Sequence, residues 1–450
     1  MVKPRCYLII DPQHEYAREL IAIGLKKYGL KPVCIHIDSR AELYKRPFFP
    51  ELRTDLVLDN YYLDKLPPPQ MAAAIRAKYD VVGIMPYFEQ SLAPAAQLVE
   101  ALGLAWNKPD VVRRFRDKSG LKDFLRNNHP EIPLGASRRV HSVDEVFGEA
   151  LPPSYVIKPN DGFANRDIGF FTQADSRDAV AKYFGFGNRE AFILEETLVG
   201  VEYAVNGQMD AAGRAQVVSV LEYERVPANG KPNVYHRTFH VPQTDPNYAS
   251  IAAYAEQVMN ASGLIRAPFH LELMLTAAGP RLIEVGARFG GTRYVFATNA
   301  VHGGRFSHFE LAAHHYLFDT PYEGAPCDWD FYNRVSYVHL DGIAERTERV
   351  YTVDGIKDVE SLPQFDGWVV KPEAGGLVRR TVDLYTVPYS CHLKSFQGRQ
   401  DVIDASERVK ALVRINAHVG TLKRLQVDVV ARLRQVQMRG QWLARRLFAA

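Results

Sequence analysis

The stretch from Phe269 to Gly291, FHLELMLTAAGPRLIEVGARFGG, constrains this chain more than any other. It alternates with period two: Phe269, Leu271, Leu273 and Leu275 share one strand face, and His270, Glu272 and Met274 share the other. Ala277-Ala278-Gly279 reads as a short hairpin loop, with Gly279 able to take positive φ. A second strand follows, and strict alternation puts Leu282, Glu284 and Gly286 on one face. A three-residue loop centred on Ala278 sets Glu272 directly opposite Glu284. Opposed carboxylates repel across a sheet, so positive charge is expected between them. Arg288 offers one unit, and a divalent metal offers two. Hard carboxylate oxygens suit Mg²⁺, which also takes phosphate oxygens as ligands. Gly290-Gly291 comes next, then a helix expected from Thr292, whose free N–H groups could hold an anion. An ordinary hairpin with a Glu–Arg pair and a Gly-rich exit is the competing reading of the same residues.

The whole chain has 450 residues, room for about two to four domains. Its 55 basic and 52 acidic side chains leave a net charge of +3, too balanced to make nucleic acid the general partner. Cys6, Cys34, Cys327 and Cys391 lack CxxC spacing and read as reduced thiols, not a disulfide frame or a zinc site. No apolar run is long enough to span a membrane, so a soluble, cytoplasmic protein is expected.

In chain order, Cys6 to Ile10 is a continuous apolar run suited to a strand buried on both faces. Glu15 to Tyr28 has helical spacing, with Gly29 placed to stop it. Strands over 32–37 and 80–85 and a helix over 91–102 complete a small parallel α/β domain. It has no GxGxxG fingerprint. Glu89 and Ser91 lie where the third strand hands over to its helix, an edge at which such sheets bind ligands. Substrate contact and helix capping are both open to Ser91. From Val111 to Asn128 the pattern predicts one basic helix, with Arg113, Arg114, Arg116, Lys118, Lys122 and Arg126 mostly on a solvated face. Tyr155-Val-Ile157 then leads into Lys158-Pro159 and the loop NDGFANRDIG, a plausible phosphate cover. Phe192-Ile-Leu194 leads into Glu195-Glu196 and then Gly200-Val-Glu202.

In this order the pieces resemble the ATP-grasp superfamily: a helix with Lys118, then VIKPNDGFANRDIG, then LEETLVGVEYAV, then the hairpin. The chain looks most like the carboxylate–amine ligases that include the L-amino-acid ligases making dipeptides. The resemblance runs from the first strand to about residue 410, and Phe239 to Gly291 is its most specific part. It implies an ATP-grasp fold, α/β and in parts α+β, with an N-terminal parallel domain and a small β-rich C-terminal domain. The implied boundaries are an N-terminal domain over 1–110, a nucleotide-binding lobe over 111–203 and a catalytic lobe over 204–320. A small domain over 321–405 and a basic helical tail over 406–450 complete the chain.

The resemblance also implies roles. Lys118 and Lys158 would hold ATP phosphates, with the loop around Asn165 and Arg166 closing over them. Glu195 would accept from the adenine amino group, the backbone of Glu196 and Leu198 would read the adenine edge, and Glu202 would take the ribose hydroxyls. Glu272 and Glu284 would bind Mg²⁺, with Mn²⁺ as a substitute. Arg288, with Lys158, would act in catalysis by neutralising the transferring phosphoryl group, and Gly290 and Gly291 would receive a substrate carboxylate. Two places depart from the family pattern: Gly286 where many relatives have Asn, and Asn165-Arg166-Asp167 where the cover loop often reads Ser-Arg-Gly.

The segment with Tyr235 to His240 would wall the acceptor pocket, which makes His236, Arg237 and His240 candidates for recognising substrate charge. Strands are expected over 335–340, 349–353 and 368–371. From Ser406 the chain reads as helical and basic, with Lys410, Arg414, Lys423, Arg424, Arg432, Arg434, Arg439, Arg445 and Arg446 against Asp428. Such a tail suits packing on its own protein, a homodimer mate, or an acidic partner or anionic surface. The expectation for the whole is an ADP-forming ligase joining a small-molecule carboxylate to an amine. A phosphotransferase on the same fold and a non-catalytic nucleotide-binding partner protein are the alternatives.

Overall fold

The computed structural model describes residues 2–12, 15–38, 56–160, 168–184, 191–291 and 293–417, with 420, 424, 426, 427 and 429. The chain forms two units: Met1–Val220 with Gln243–Trp329, and Leu221–Pro242 with Asp330–Ala450.

The first unit opens with β1 (Arg5–Ile10), α1 (Glu15–Tyr28), β2 (Lys31–His36), β3 (Asp59–Tyr62), α2 (Pro68–Lys78), β4 (Asp80–Met85) and α3 (Glu89–Leu102). The strands pair in parallel in the order β3-β2-β1-β4. Cys6 to Ile10 is fully buried, as an inner strand with both faces covered requires. Gly29 and Gly103, at φ 64° and 66°, end α1 and α3 in the left-handed conformation. The single helix expected over 111–128 is two, α4 (Pro109–Arg116) and α5 (Lys118–Asn128). Asp117 breaks it with extended backbone, and its carboxylate accepts from Gly120 N at 2.8 Å and from the Asn160 amide at 2.7 Å. A short acid that takes up these donors starts a helix instead of continuing one.

A second sheet holds β5 (Ser137–Val140), β6 (Ser154–Pro159), β7 (Gly169–Thr172) and β8 (Phe192–Glu196), antiparallel in the order β5-β8-β6-β7. Two helices, α6 (Val143–Phe147) and α7 (Arg177–Phe184), pack onto it through Val146 and Val180. β9 (Val201–Met209) follows. The chain leaves this unit inside β10 (Ala215–Ala228) and returns after β11 (Lys231–His240). Then come α8 (Tyr248–Ala261), β12 (Pro268–Thr276), β13 (Gly279–Gly286), α9 (Tyr294–Val301) and α10 (His308–Leu317). The strands of this third sheet lie in the order β13-β12-β9-β10. α9 stops at Val301, where Gly303 and Gly304 take φ 67° and 71°, and α10 begins afresh at His308. Tyr16 on α1 packs its ring against Phe289, Phe296 and Phe309, and its hydroxyl donates to Gly290 O at 3.0 Å.

In the second unit the rest of β10 and β11 are joined by α11 (Trp329–Arg334), β14 (Ser336–Asp341), β15 (Glu348–Arg349), β16 (Val353–Asp354), α12 (Ile356–Glu360), β17 (Phe365–Val370), β18 (Leu377–Val378), β19 (Ser390–Ser395), α13 (Arg399–Leu412) and β20 (Arg414–Ile415). Its main sheet runs β10-β11-β14-β19-β17. α13 covers one face, burying Val402, Ala405 and Val409 against Phe239, Val338, Leu340, Cys391 and Leu393. Lys423, Arg432, Arg434, Arg439, Arg445, Arg446 and Asp428 lie outside the described residues. The four cysteines are free and buried. Among the described residues no helix is long and apolar enough to cross a membrane.

Candidate active site

Glu272 pairs with Glu284 across the hairpin, by a different route from the one the spacing suggests. Thr276 pairs with Gly279, so the loop is only Ala277-Ala278. That register, carried on, would set Glu272 opposite Ile283. A bulge intervenes: Leu273 pairs with Leu282 but Glu272 with Glu284, leaving Ile283 as the extra residue. Leu282 therefore shares the apolar face with Leu273, and both are fully buried. It does not share the face of Glu284 and Gly286, contrary to strict alternation. Glu272 is itself buried, with His270 Nε2 3.4 Å from its carboxylate.

The cation beside Glu284 is Lys118, whose Nζ lies 3.5 Å from Oε2. Arg288 goes elsewhere: its Nε donates to Glu89 Oε2 at 3.1 Å, and Arg116 Nε stands 3.9 Å from the other Glu89 oxygen. Gly286 makes room for this. A Cβ there would lie 2.8 Å from the Arg288 guanidinium carbon, so an Asn at this position would push the arginine off its track. Glu89, Arg116, Lys118, Lys122, Glu284 and Arg288 line one cleft.

Lys158, at the end of β6, is buried and places Nζ 2.6 Å from Glu195 Oε2. The other oxygen, Oε1, takes the ammonium of Lys122. Helical spacing predicts a solvated face for Lys122, yet it is 4 % exposed. Its spacing from Lys118, four residues along one helix, was the available signal. Burial pushes the Glu195 carboxyl up, but the two ammoniums outweigh it and hold the group down at about 2. Burial pulls Lys122 below its ordinary range, with Glu195 opposing and Lys158 adding to the fall. Lys158 goes up, because Glu195, Glu284 and Glu272 outweigh its burial.

The remaining candidates are placed as follows. Ser91 Oγ accepts from Tyr87 N and Phe88 N at 3.2 and 3.1 Å and donates to Phe88 O at 2.6 Å, so its hydroxyl serves the start of α3. Both Glu195 oxygens are taken by lysines, so acceptance from an adenine amino group would compete with them. The Glu196 N–H donates to Ala136 O at 3.0 Å and its Oε1 accepts from Ala136 N at 2.9 Å, which occupies that N–H. Leu198 lies in the connection to β9. Glu202 is half-buried near the start of β9, opposite Met274. Gly290 has room for no side chain without crowding His270 Nδ1 and Asn206 Oδ1, at 3.0 and 3.1 Å. Gly291 O accepts from Tyr294 N, which begins α9 later than the expected start at Thr292, itself outside the described residues. Asn165 and Arg166 also lie outside the described residues. His236, Arg237 and His240 belong to the second unit. There Arg237 grips Glu224 with two bonds, at 2.7 and 3.0 Å, from Nη2, His236 Nδ1 is 3.3 Å from Asp341 O, and His240 meets the Tyr332 ring edge-on.

One glycine gives a direct test of the hinge between β8 and β9. A methyl group on Gly200 would run into the backbone carbonyl of Leu275. Gly200→Ala is expected to lower stability by about 1–3 kcal/mol, as overpacking does, measured by urea unfolding. An unchanged midpoint would mean that the hinge yields freely.

Can the residues hold the expected metal? Among the described residues there is no group of three or more His, Cys, Asp or Glu able to do so. Two facing carboxylates suit Mg²⁺ all the same, since this ion keeps several waters and takes phosphate oxygens beside one or two carboxylates.

Residues 152–295 match the ATP-grasp domain family. Dapdiamide A synthase of Enterobacter agglomerans is 36% identical over 143 residues, 30% of this chain and 33% of that protein. Phosphoribosylamine–glycine ligase of Methanococcus maripaludis is 24% identical over 226 residues, 44% of this chain and 50% of that one. The chain thus matches half or less of the length of these curated relatives. The crystal structure of the L-amino acid ligase from Bacillus licheniformis superposes with a TM-score of 0.69 at 16% identity, covering 93% of this chain and 100% of that one. The fold is ATP-grasp, with the parallel N-terminal sheet and antiparallel sheets expected from the sequence.

Proposed function

We propose that this chain, which carries an ATP-grasp domain, is an ATP-dependent carboxylate–amine ligase that forms an amide or peptide bond and releases ADP and phosphate. The observation that carries the reading is Glu272 facing Glu284, with Lys118 against Glu284 and Lys158 buried in the same unit. Amino-acid-like substrates are supported by the names of two similar proteins, dapdiamide A synthase and L-amino acid ligase.

In this reading Lys118 and Lys158 turn to the phosphates of ATP, and Leu198 with Glu202 helps to seat the nucleoside. Glu272 and Glu284 would hold Mg²⁺, which would supply positive charge to the phosphates. A substrate carboxylate oxygen attacks the γ phosphorus, the bond to the bridging oxygen breaks, and ADP leaves. The guanidinium of Arg288 offsets charge on the transferring phosphoryl group. The amine then attacks the acyl carbon and loses a proton, and the C–O bond to phosphate breaks. No side-chain nucleophile is needed. Association as a homodimer, a basic tail that meets an acidic partner or surface, and work in the cytoplasm go with this reading.

An ADP-release screen with amino acids, singly and in pairs, tests it. Release that depends on a pair is expected. Hydroxylamine should trap a hydroxamate of the carboxylate substrate. AMP and pyrophosphate among the products would mean attack at the α phosphate, and this assignment of the hairpin would fall.

A further inference from the structure

We infer that Lys122 is a positioning residue for ATP: it is the cation that stays with Glu195 and so frees Lys158 to reach a phosphate. The inference rests on the ligase reading above. Three observations carry it. Glu195 is buried, and each of its two oxygens has its own ammonium, Lys122 on Oε1 and Lys158 on Oε2. Lys122 sits one helical turn beyond Lys118, so α5 aims both lysines to the same side. Both lysines feel Glu195 first and Glu284 after it, and Lys158 alone also feels Glu272.

The electrostatic logic follows. In the free protein Lys118, Lys122 and Lys158 offset Glu195, Glu272 and Glu284. A triphosphate competes for Lys118 and Lys158. If Lys158 leaves and nothing else faces Glu195, a buried carboxylate is stranded, which is strongly unfavourable. With Lys122 in place the carboxylate keeps one charge-assisted partner, and Lys158 can turn away. Lys122 then never touches the nucleotide; it acts through Glu195 on Lys158.

The test is ATP binding by calorimetry, in a cycle of variants. Lys122→Met is expected to weaken ATP binding roughly tenfold or more, since Lys158 stays locked on Glu195. Lys122→Arg, which keeps the charge, is expected to recover most of the affinity. In a Glu195→Gln background there is no charge to strand, so adding Lys122→Met should change affinity by less than about twofold, a non-additivity that contact between two sites produces. A role confined to packing would give equal losses in both backgrounds and no recovery with Arg, and would overturn the inference. So would a Lys122→Met chain that binds ATP as the parent does. If Lys122→Met alone fails to fold, Lys122→Gln takes its place in both backgrounds of the same cycle. A parent chain that binds no ATP would overturn the ligase reading and this inference together.

Discussion

Replacing Glu272 or Glu284 with Gln is expected to lower turnover on the order of a hundredfold or more, with the fold intact. The reason is that the two carboxylates face each other in register across β12 and β13. A divalent ion held between them contributes several kcal/mol to the transition state, and each 1.4 kcal/mol or so is tenfold in rate. Stability should move the other way. Like charges placed opposite each other destabilise a sheet, so Glu272→Gln removes a repulsion and its melting temperature should not fall. Activity and stability measured on the same preparation separate this from simple damage. A variant that loses activity together with its melting temperature would show that Glu272 serves the hairpin and not the chemistry.

Arg288→Ala is expected to cost about 10²- to 10³-fold in kcat, the usual size for loss of one charge-stabilising donor. ATP affinity should change little, because in this structure the phosphate candidates are Lys118 and Lys158, and Arg288 is engaged with Glu89. Arg288→Lys should rescue poorly. An ammonium cannot reproduce the planar fork that bonds Glu89 through Nε and Phe289 O through Nη1. Steady-state kinetics beside calorimetry decides. A large loss of ATP affinity with kcat preserved would assign Arg288 to nucleotide binding instead.

Long, strongly patterned segments were legible. α1 and β4 have the bounds read from spacing and apolar runs, because a glycine stop and an apolar run that opens after Asp80 leave few alternatives. β3 and α2 were not read: Asp59–Tyr62 is short and polar, and PPQMAAAIRAK opens on prolines and gives little apolar contrast. Asp117 was missed as a break although its capping bond to Gly120 N is local, because the Asn160 amide that also holds its carboxylate lies far along the chain. Lys122 looked like a surface charge for the same reason, its partner Glu195 arriving from another sheet. The pairing of the two glutamates was read correctly from the spacing, through two errors that cancel: a loop one residue too long and a bulge left out.

That bulge has a consequence for how this part of the chain can change. Faces swap with every single-residue shift along a strand, so Ile283 sets the phase of everything after it. Deleting Ile283 would let the register from the two-residue loop run on unbroken, and the glutamate brought opposite Glu272 would now be followed by residues whose sides no longer depend on a bulge. Inserting one residue between Gly279 and Leu282 would instead put an apolar side chain opposite Glu272 or force a second irregularity. Point substitutions here alter one contact, whereas an insertion ahead of Leu282 re-addresses several side chains at once. Anyone grafting this two-glutamate hairpin onto another scaffold must transplant the loop length and the irregular strand as a matched set, because neither alone determines which side chains meet.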